Sequence, residues 1–268
     1  MTAHGVAILR GIESDKRNGR IYDPYATKLG GEIGTSWLAE LAPNRDREAL
    51  VNGVALRTMV IDDRIAEGLQ QDGFRQICVL GAGLDTRPWR LGLTRDSMQI
   101  SLSLGEGVLW FELDFPEIFE FKLSILEEAS ARPLCAYRPV AVDLSLPWMD
   151  QLIAQGFKKD TPTLWLLEGF TGYLLEEELS RVFSQMQCLS CPCSRLLATF
   201  LGPSFPFTNS QHRFKTEDPL QFVQNWNWVG DKPETSQESL VDLAQRYGVP
   251  KVEEEWSGYY VVDARLPS

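Results

Sequence analysis

Histidine is nearly absent from this sequence: His4 and His212 are the only two in 268 residues. Cysteine is present but odd in number, at Cys78, Cys135, Cys188, Cys191 and Cys193. An odd count argues for reduced thiols rather than a disulfide framework. Cys188, Cys191 and Cys193 share the segment CLSCPC and offer three thiolates, whereas structural zinc takes four ligands. No second paired cluster completes the set, so no metal is expected. The plainer reading is a helix end and tight turn with small buried thiols. A long apolar run is also missing. No stretch of about 20 apolar residues is available to cross a bilayer. The start, MTAHGVAILRGIESDKR, lacks the apolar core of a signal peptide, so a cytoplasmic location is expected. Basic excess is missing as well. A net charge of −11 repels nucleic acid and anionic membrane, so neither is an expected partner. It leaves room for a local basic pocket that takes a carboxylate.

What is present is an ordinary globular composition, 44% hydrophobic and 24% charged, enough for a real core. The length suits one large domain or a domain with an elaborated cap. Residues 1–72 read as a helical N-terminal cap, with VNGVALRTMVIDDRIAEGL (51–69) close to helical spacing. QICVL (76–80) reads as a buried strand, followed by strands at VLWFELD (108–114), YRPVAVDLS (137–145), PTLWLLEG (162–169) and RLLATFL (195–201). Helices are expected between them at 116–129, 145–157 and 174–189. The polar stretch 94–107 reads as an insertion. The aromatic and polar stretch around 202–235 reads as a cap over a substrate site. A helix at 236–248 and a terminal antiparallel hairpin, VEEEW (252–256) with GYYVVDARL (258–266), complete the order. Strands alternating with helices predict an α/β fold, with a mainly parallel sheet and helices on both faces over 73–268.

Ligands of such sheets bind beyond the carboxyl ends of the strands. Four strand ends here carry polar or flexible residues. Gly81 and Gly83 follow the first, in GAGLDTRPWRL; they permit a sharp turn and a close ligand, or serve packing alone. The second ends in ELD, where Glu112 or Asp114 could accept from a ribose diol or cap the helix at Pro116. Asp143, with Leu144 beside it, could meet an adenine or start the next helix. Glu168 closes the apolar run PTLWLLE, and a carboxylate there must be paired, hydrogen-bonded or functional. A cationic nucleoside such as S-adenosylmethionine (SAM) fits this set better than NAD. The pyrophosphate of NAD prefers a complete G-x-G-x-x-G turn, and position 86 is Thr.

Taken together, DPYA (23–26), LRT (56–58), LGAGLDTRPWRL (80–91), FELDFPEIFEFK (111–122), VDLS (142–145) and LEGFTGYL (167–174) resemble the leucine carboxyl methyltransferase family. That family includes phosphatase-directed enzymes and tetracenomycin-type polyketide methyltransferases. The resemblance spans about residues 6–190 and implies a class I methyltransferase of Rossmann-like fold that uses SAM and releases S-adenosylhomocysteine (SAH). It implies that Arg57 pairs with the SAM carboxylate and Gly81 lies under the methionine. Asp114 rather than Glu112 then faces the ribose, Asp143 and Leu144 contact adenine, and Glu168 lies beside the methionine or its ammonium. A basic residue near DPY also contacts the cofactor in the phosphatase-directed enzymes; Lys16, Arg17 and Arg20 are candidates for it.

The implied reaction is O-methylation of a carboxylate to a methyl ester, on a small natural-product-like carboxylic acid. A carboxylate is already ionised at neutral pH and needs no base. A hydroxyl acceptor would need one, and His212 is the candidate, against a solvated loop histidine. Arg213, Lys215 and Arg57 are candidates for holding an acceptor carboxylate. Phe205, Phe207, Phe222, Trp226 and Trp228 either form an apolar acceptor pocket or make the core of their own cap. The rival readings are a hydroxyl-directed methyltransferase and a non-catalytic SAM-binding protein.

Overall fold

The computed structural model describes residues 3–41, 45–93, 104, 107–206, 211–230 and 232–268. The stretch 94–107, expected as an insertion, lies almost entirely outside the described residues, as does Phe207. Three helices come first: α1 (Ala3–Ser14), α2 (Ala26–Leu41) and α3 (Arg47–Gln70). α2 is broken at Gly31, whose backbone is not helical. α3 starts where Asp46 accepts from the N–H groups of Glu48 and Ala49, which satisfies two orphan donors of the first turn. β1 (Gln76–Leu80), α4 (Arg87–Arg90), β2 (Leu109–Asp114), α5 (Pro116–Glu128), β3 (Ala136–Ala141), α6 (Met149–Ala154) and β4 (Thr163–Leu167) follow. A single 3-10 turn at Thr171–Tyr173 leads to α7 (Glu176–Leu189) and β5 (Arg195–Leu201). The remainder is α8 (Pro219–Gln224), β6 (Val229–Gly230), α9 (Pro233–Ser236), β7 (Gln237–Ser239), α10 (Leu240–Tyr247), α11 (Glu253–Trp256) and β8 (Tyr259–Arg265).

The strands form one sheet in the order β3-β2-β1-β4-β5-β8-β6, with β7 also paired to β8. β1 to β5 run parallel, and β8 lies antiparallel to β5. The order reverses between β1 and β4, which opens a crevice at their carboxyl ends. β1, β4 and β5 are buried throughout, so they read as unbroken apolar runs rather than alternating ones. Their period still shows in the packing. Cys78 and Leu80 meet Phe111, Trp148, Trp165 and Phe183 on one face. Ile77 and Val79 meet Ile61, Ile65 and Leu69 of α3 on the other.

The C-terminal end departs from expectation. Residues 252–256 are not a strand, and no hairpin joins them to β8. Trp256 needs its indole against α3, where Nε1 donates to the Ala49 carbonyl at 3.0 Å. Gly53 makes the approach possible, since a Cβ there would fall 2.0 Å from that nitrogen. Glu255 accepts from Arg45 and from the Asp46 N–H. A helical turn aims both side chains at α3, whereas strand alternation would split them. β8 instead pairs with β5, and β6 and β7 pair with β8. The helix expected over 236–248 is accordingly shorter, because 237–239 are β7. α7 does end in a turn around CLSCPC, but Cys188 and Cys193 are exposed and Cys191 is half-buried, so buried thiols were the wrong expectation.

Candidate active site

A cavity of about 540 Å³ lies at the reversal point of the sheet. That is within the usual range of small-molecule sites. Its floor is the turn after β1. Gly81 and Gly83 have φ of 68° and 51°, a left-handed backbone that side chains disfavour. A Cβ on Gly81 would also fall 2.4 Å from the Phe170 ring. The turn is fixed from β2: the Gly81 N–H donates to the Leu113 carbonyl at 2.9 Å, and the Gly83 N–H to Asp114 Oδ2 at 2.7 Å.

Asp114 and Glu112 have opposite environments. Asp114 lines the cavity, and its Oδ1 accepts from the Phe115 N–H at 2.8 Å. Burial raises its pKa, against the pull of the two N–H groups. Glu112 does not line the cavity and is fully buried. It takes bonds from Lys122 Nζ at 2.5 Å and from the Tyr137 hydroxyl at 2.6 Å. Burial pushes its carboxyl up to about 7, against the pull of Lys122. Of the two acids, only Asp114 can meet a ligand. Asp143 and Leu144 also line the cavity. Asp143 Oδ1 accepts from the Ser145 N–H and hydroxyl, at 2.9 and 2.7 Å, so it shapes its own turn while facing the cavity.

Glu168 sits between two arginines. Arg57 Nε donates to Oε1 and Arg87 Nη1 to Oε2, each at 2.6 Å. Burial alone would raise its pKa; the two guanidinium groups outweigh that and hold it below the ordinary glutamate value. Arg57 also donates from Nη1 to the Tyr259 hydroxyl at 3.0 Å. The network continues through Asp62, Asp85, Arg90 and Asp23. Asp23 is the acid of DPYA, and it accepts from Arg10 Nε at 3.0 Å and from the Thr86 hydroxyl at 2.6 Å.

Arg10 is the basic N-terminal residue that the cavity contains. It is buried, lines the wall, and donates from Nη2 to the Leu84 carbonyl at 2.6 Å. Lys16, Arg17 and Arg20 do not line the cavity. Lys16 and Arg20 instead bind Glu13, which is fully buried, and Arg17 is exposed. The available signal was the lone cation in the apolar run VAILRGI (6–12), which must spend its charge on something buried.

The other end of the cavity is built by the 3-10 turn and the chain crossing it. The Arg213 N–H donates to the Gly172 carbonyl at 2.7 Å, which lays residues 211–213 over Thr171–Tyr173. His212 is half-buried in the cavity wall, with its ring 5.0 Å from that of Tyr173, rather than solvated. Arg213 also lines the wall and pairs with Glu178 at 3.2 Å. Lys215 does not reach the cavity lining. Of the cap aromatics, Phe205 lines the cavity. Phe222, Trp226 and Trp228 belong to the core with Phe183 of α7 and Phe200 of β5 and do not line the crevice. The aromatic wall comes instead from Phe170, Tyr173, Phe115 and Phe205, of which the sequence pointed only to Phe205.

A parallel sheet in this order, with its cavity at the reversal point, defines a class I methyltransferase architecture. A protein of Thermobifida fusca named among methyltransferases has the same fold, with a TM-score of 0.64 at 14% identity over 99% of this chain and 94% of that one. Magnesium protoporphyrin IX methyltransferase of Synechocystis, solved with SAH bound, gives 0.50 at 15% identity over 89% and 97%. In sequence, a protein of Mycolicibacterium paratuberculosis named among S-adenosyl-L-methionine-dependent methyltransferases is 33% identical over 240 residues, 85% of this chain and 73% of the relative. The leucine carboxyl methyltransferase family model matches residues 3–187. The chain belongs to that family, and at that level it is a SAM-dependent methyltransferase.

The donor set of the cavity fits that cofactor. Arg57 Nη2 and Arg10 Nη1 have no hydrogen-bond partner among the described residues, so two guanidinium groups keep a donor for a carboxylate. Each Glu168 oxygen takes one arginine bond and retains a lone pair for an ammonium.

Proposed function

We propose that the chain transfers the methyl group of SAM to a carboxylate oxygen of a small, partly apolar acid, giving a methyl ester and SAH. One observation carries the reading. The acceptor end of the cavity presents His212 and Arg213, and the carboxylate found there among the described residues, Glu178, is paired with Arg213. An anionic acceptor therefore meets no unpaired negative charge there. The family's carboxyl chemistry supports the same choice.

In this reading Arg57 and Arg10 donate to the cofactor carboxylate and Glu168 accepts from its ammonium. Asp114 accepts from the ribose, Gly81 and Gly83 let the backbone approach closely, and Asp143 and Leu144 meet the adenine. The bound cofactor supplies an electrophilic methyl on a positively charged sulfur. The residues around it then have little proton chemistry to perform, because the acceptor is already ionised. They align the oxygen with the methyl and keep water out. Phe170, Tyr173 and Phe205 supply the apolar wall that does so. A small natural-product acid and a cytoplasmic setting belong to the same reading.

A second reading has its own observation: His212 stands in the acceptor wall, where it could take the proton of a hydroxyl acceptor. The test separates them by product. The protein is incubated with SAM and a panel of aromatic and aliphatic acids beside the matching phenols. Methylated products are then treated with mild base. A base-labile ester formed one-for-one with SAH is expected. A base-stable ether as the main product would replace the carboxyl reading with the hydroxyl one.

A further inference from the structure

Arg87 opens α4 and is 2% exposed. It ties three parts of the fold at one point. Its Nε donates to Asp62 of α3 at 2.6 Å, and its Nη1 donates to Asp85 of the floor turn at 2.9 Å and to Glu168 at the end of β4 at 2.6 Å. The surrounding network holds four arginines (Arg10, Arg57, Arg87, Arg90) and four carboxylates (Asp23, Asp62, Asp85, Glu168). It is neutral as it stands. A zwitterion, which adds one charge of each sign, leaves it neutral.

We propose that Arg87 is the positioning residue that makes the cavity selective for the amino-acid end of the cofactor. This deepens the cofactor reading above and rests on it. Arg57 reaches Glu168 through Nε alone and so keeps Nη2 for a ligand. It can do so because Arg87 holds the other oxygen of the same carboxylate. A guanidinium fork closes on a carboxylate with two parallel bonds when nothing competes. Without Arg87, Glu168 is free to swing into that fork. The donor meant for the ligand carboxylate is then consumed, and the acceptor meant for the ligand ammonium is turned away. The network is also left with one negative charge in excess, which favours protonation of Glu168. Both effects act on the amino-acid end and leave the adenosine end, at Asp114 and Asp143, untouched.

The test compares two ligands by calorimetric titration. SAH carries the amino acid; 5′-methylthioadenosine keeps the adenosine and sulfur but lacks it. Arg87→Met is expected to weaken SAH about tenfold or more and 5′-methylthioadenosine less than about twofold, a coupling read as in a double-mutant cycle. Equal weakening of both ligands would mean that Arg87 only supports the fold, and would overturn the proposal. A wild-type protein that binds 5′-methylthioadenosine but gains nothing from the amino acid would overturn it too. Failure of the folded wild-type protein to bind either ligand would remove the cofactor reading with it. Arg87→Met takes a cation from three carboxylates, of which Asp62 keeps Arg90 and Glu168 keeps Arg57 while Asp85 loses its salt bridge, and the variant can fail to fold. In that event Arg87→Lys serves: it keeps the charge but cannot span Asp62 and Glu168 together. A loss of about threefold or more confined to SAH is expected of it, and equal losses on the two ligands count against the proposal as before.

Discussion

Among the described residues, one network of arginine and carboxylate lies at the cavity and another on the far flank of α3. The second joins Arg64, Arg195, Arg246 and Arg265 to Glu67, Asp72, Glu238 and Asp263, between α3, β5 and β8. The two are similar in size and composition. They differ in what their donors are left to do. At the cavity, Arg57 and Arg10 each keep a nitrogen that no group among the described residues uses. On the flank, Arg195 spends Nε and both Nη atoms on protein partners, and Arg64 Nη1 is sealed without one. A buried charge network is weak evidence of function by itself. Unspent donors that face a cavity are what separate a binding network from a structural one.

Removing one arginine from each network should separate them most plainly. Arg195→Met is expected to have the largest effect on stability. It falls somewhat below the roughly 3–5 kcal/mol of a fully buried broken pair, because Glu67 and Asp72 stay partly exposed. SAH binding by the folded fraction should stay within about twofold of wild type. Thermal melts paired with calorimetric titration measure both, and a selective loss of SAH affinity would erase the distinction. Asp114→Ala is the converse case. Loss of a charge-assisted acceptor for the ribose should cost about 1.5–3 kcal/mol of SAM binding with a smaller change in melting temperature. An unchanged dissociation constant in the folded variant would take Asp114 out of the site.

The sequence disclosed the cavity network only in part. QICVL and RLLATFL coincide with β1 and β5 because strands buried on both faces stand out as apolar runs between turns. The strand-end rule then led to Gly81, Gly83, Asp114, Asp143, Leu144 and Glu168, all of which line one cavity. It could not separate Glu112 from Asp114, which share one side of β2; what separates them is that Asp114 is the last residue of the strand and holds the Gly83 N–H, whereas Glu112 is closed off by Lys122 and Tyr137. Nor could it find Arg10, which stands on a helix rather than at a strand end and shows in the sequence only as a lone cation in an apolar run; the cations closer to DPYA were the natural choice, and none of them lines the cavity. Trp256 misled for a related reason. VEEEW has strand-like ends, and what makes it helical is a glycine on α3 some 200 residues earlier, at Gly53.

Glu112 tests whether a sealed pair behaves as the flank network does. Its carboxyl titrates near 7 when folded, against an ordinary value of 4.5, because burial disfavours its charge. Between those two values the folded chain binds more protons than the unfolded one. Stability should therefore fall as pH rises through that window. Glu112→Gln keeps an acceptor for Lys122 and Tyr137 and removes the titration. The variant should lack a fall of about 1–3 kcal/mol between pH 5 and 8 that wild type shows. Parallel slopes for the two proteins in pH-dependent melts would mean that Lys122 keeps Glu112 ionised throughout.

The smallest effect is expected at His212, and it bears on the acceptor rather than the cofactor. His212 lies in the wall beside Tyr173, and the proposed function gives it no part in holding the cofactor. His212→Ala should therefore leave SAH affinity within about twofold. With a carboxylate acceptor no proton has to leave, so the lost imidazole costs only wall packing and any hydrogen bond to the acceptor. That is a decrease in turnover of about tenfold or less. A general base contributes about 10²–10⁴-fold. A loss of that size with SAH binding intact, together with a rate that rises with pH through the histidine range in wild type and not in the variant, would assign the proton to His212 and the acceptor to the hydroxyls. A modest loss with a flat profile over the same range keeps the acceptor a carboxylate, and leaves His212 as part of the wall that holds it.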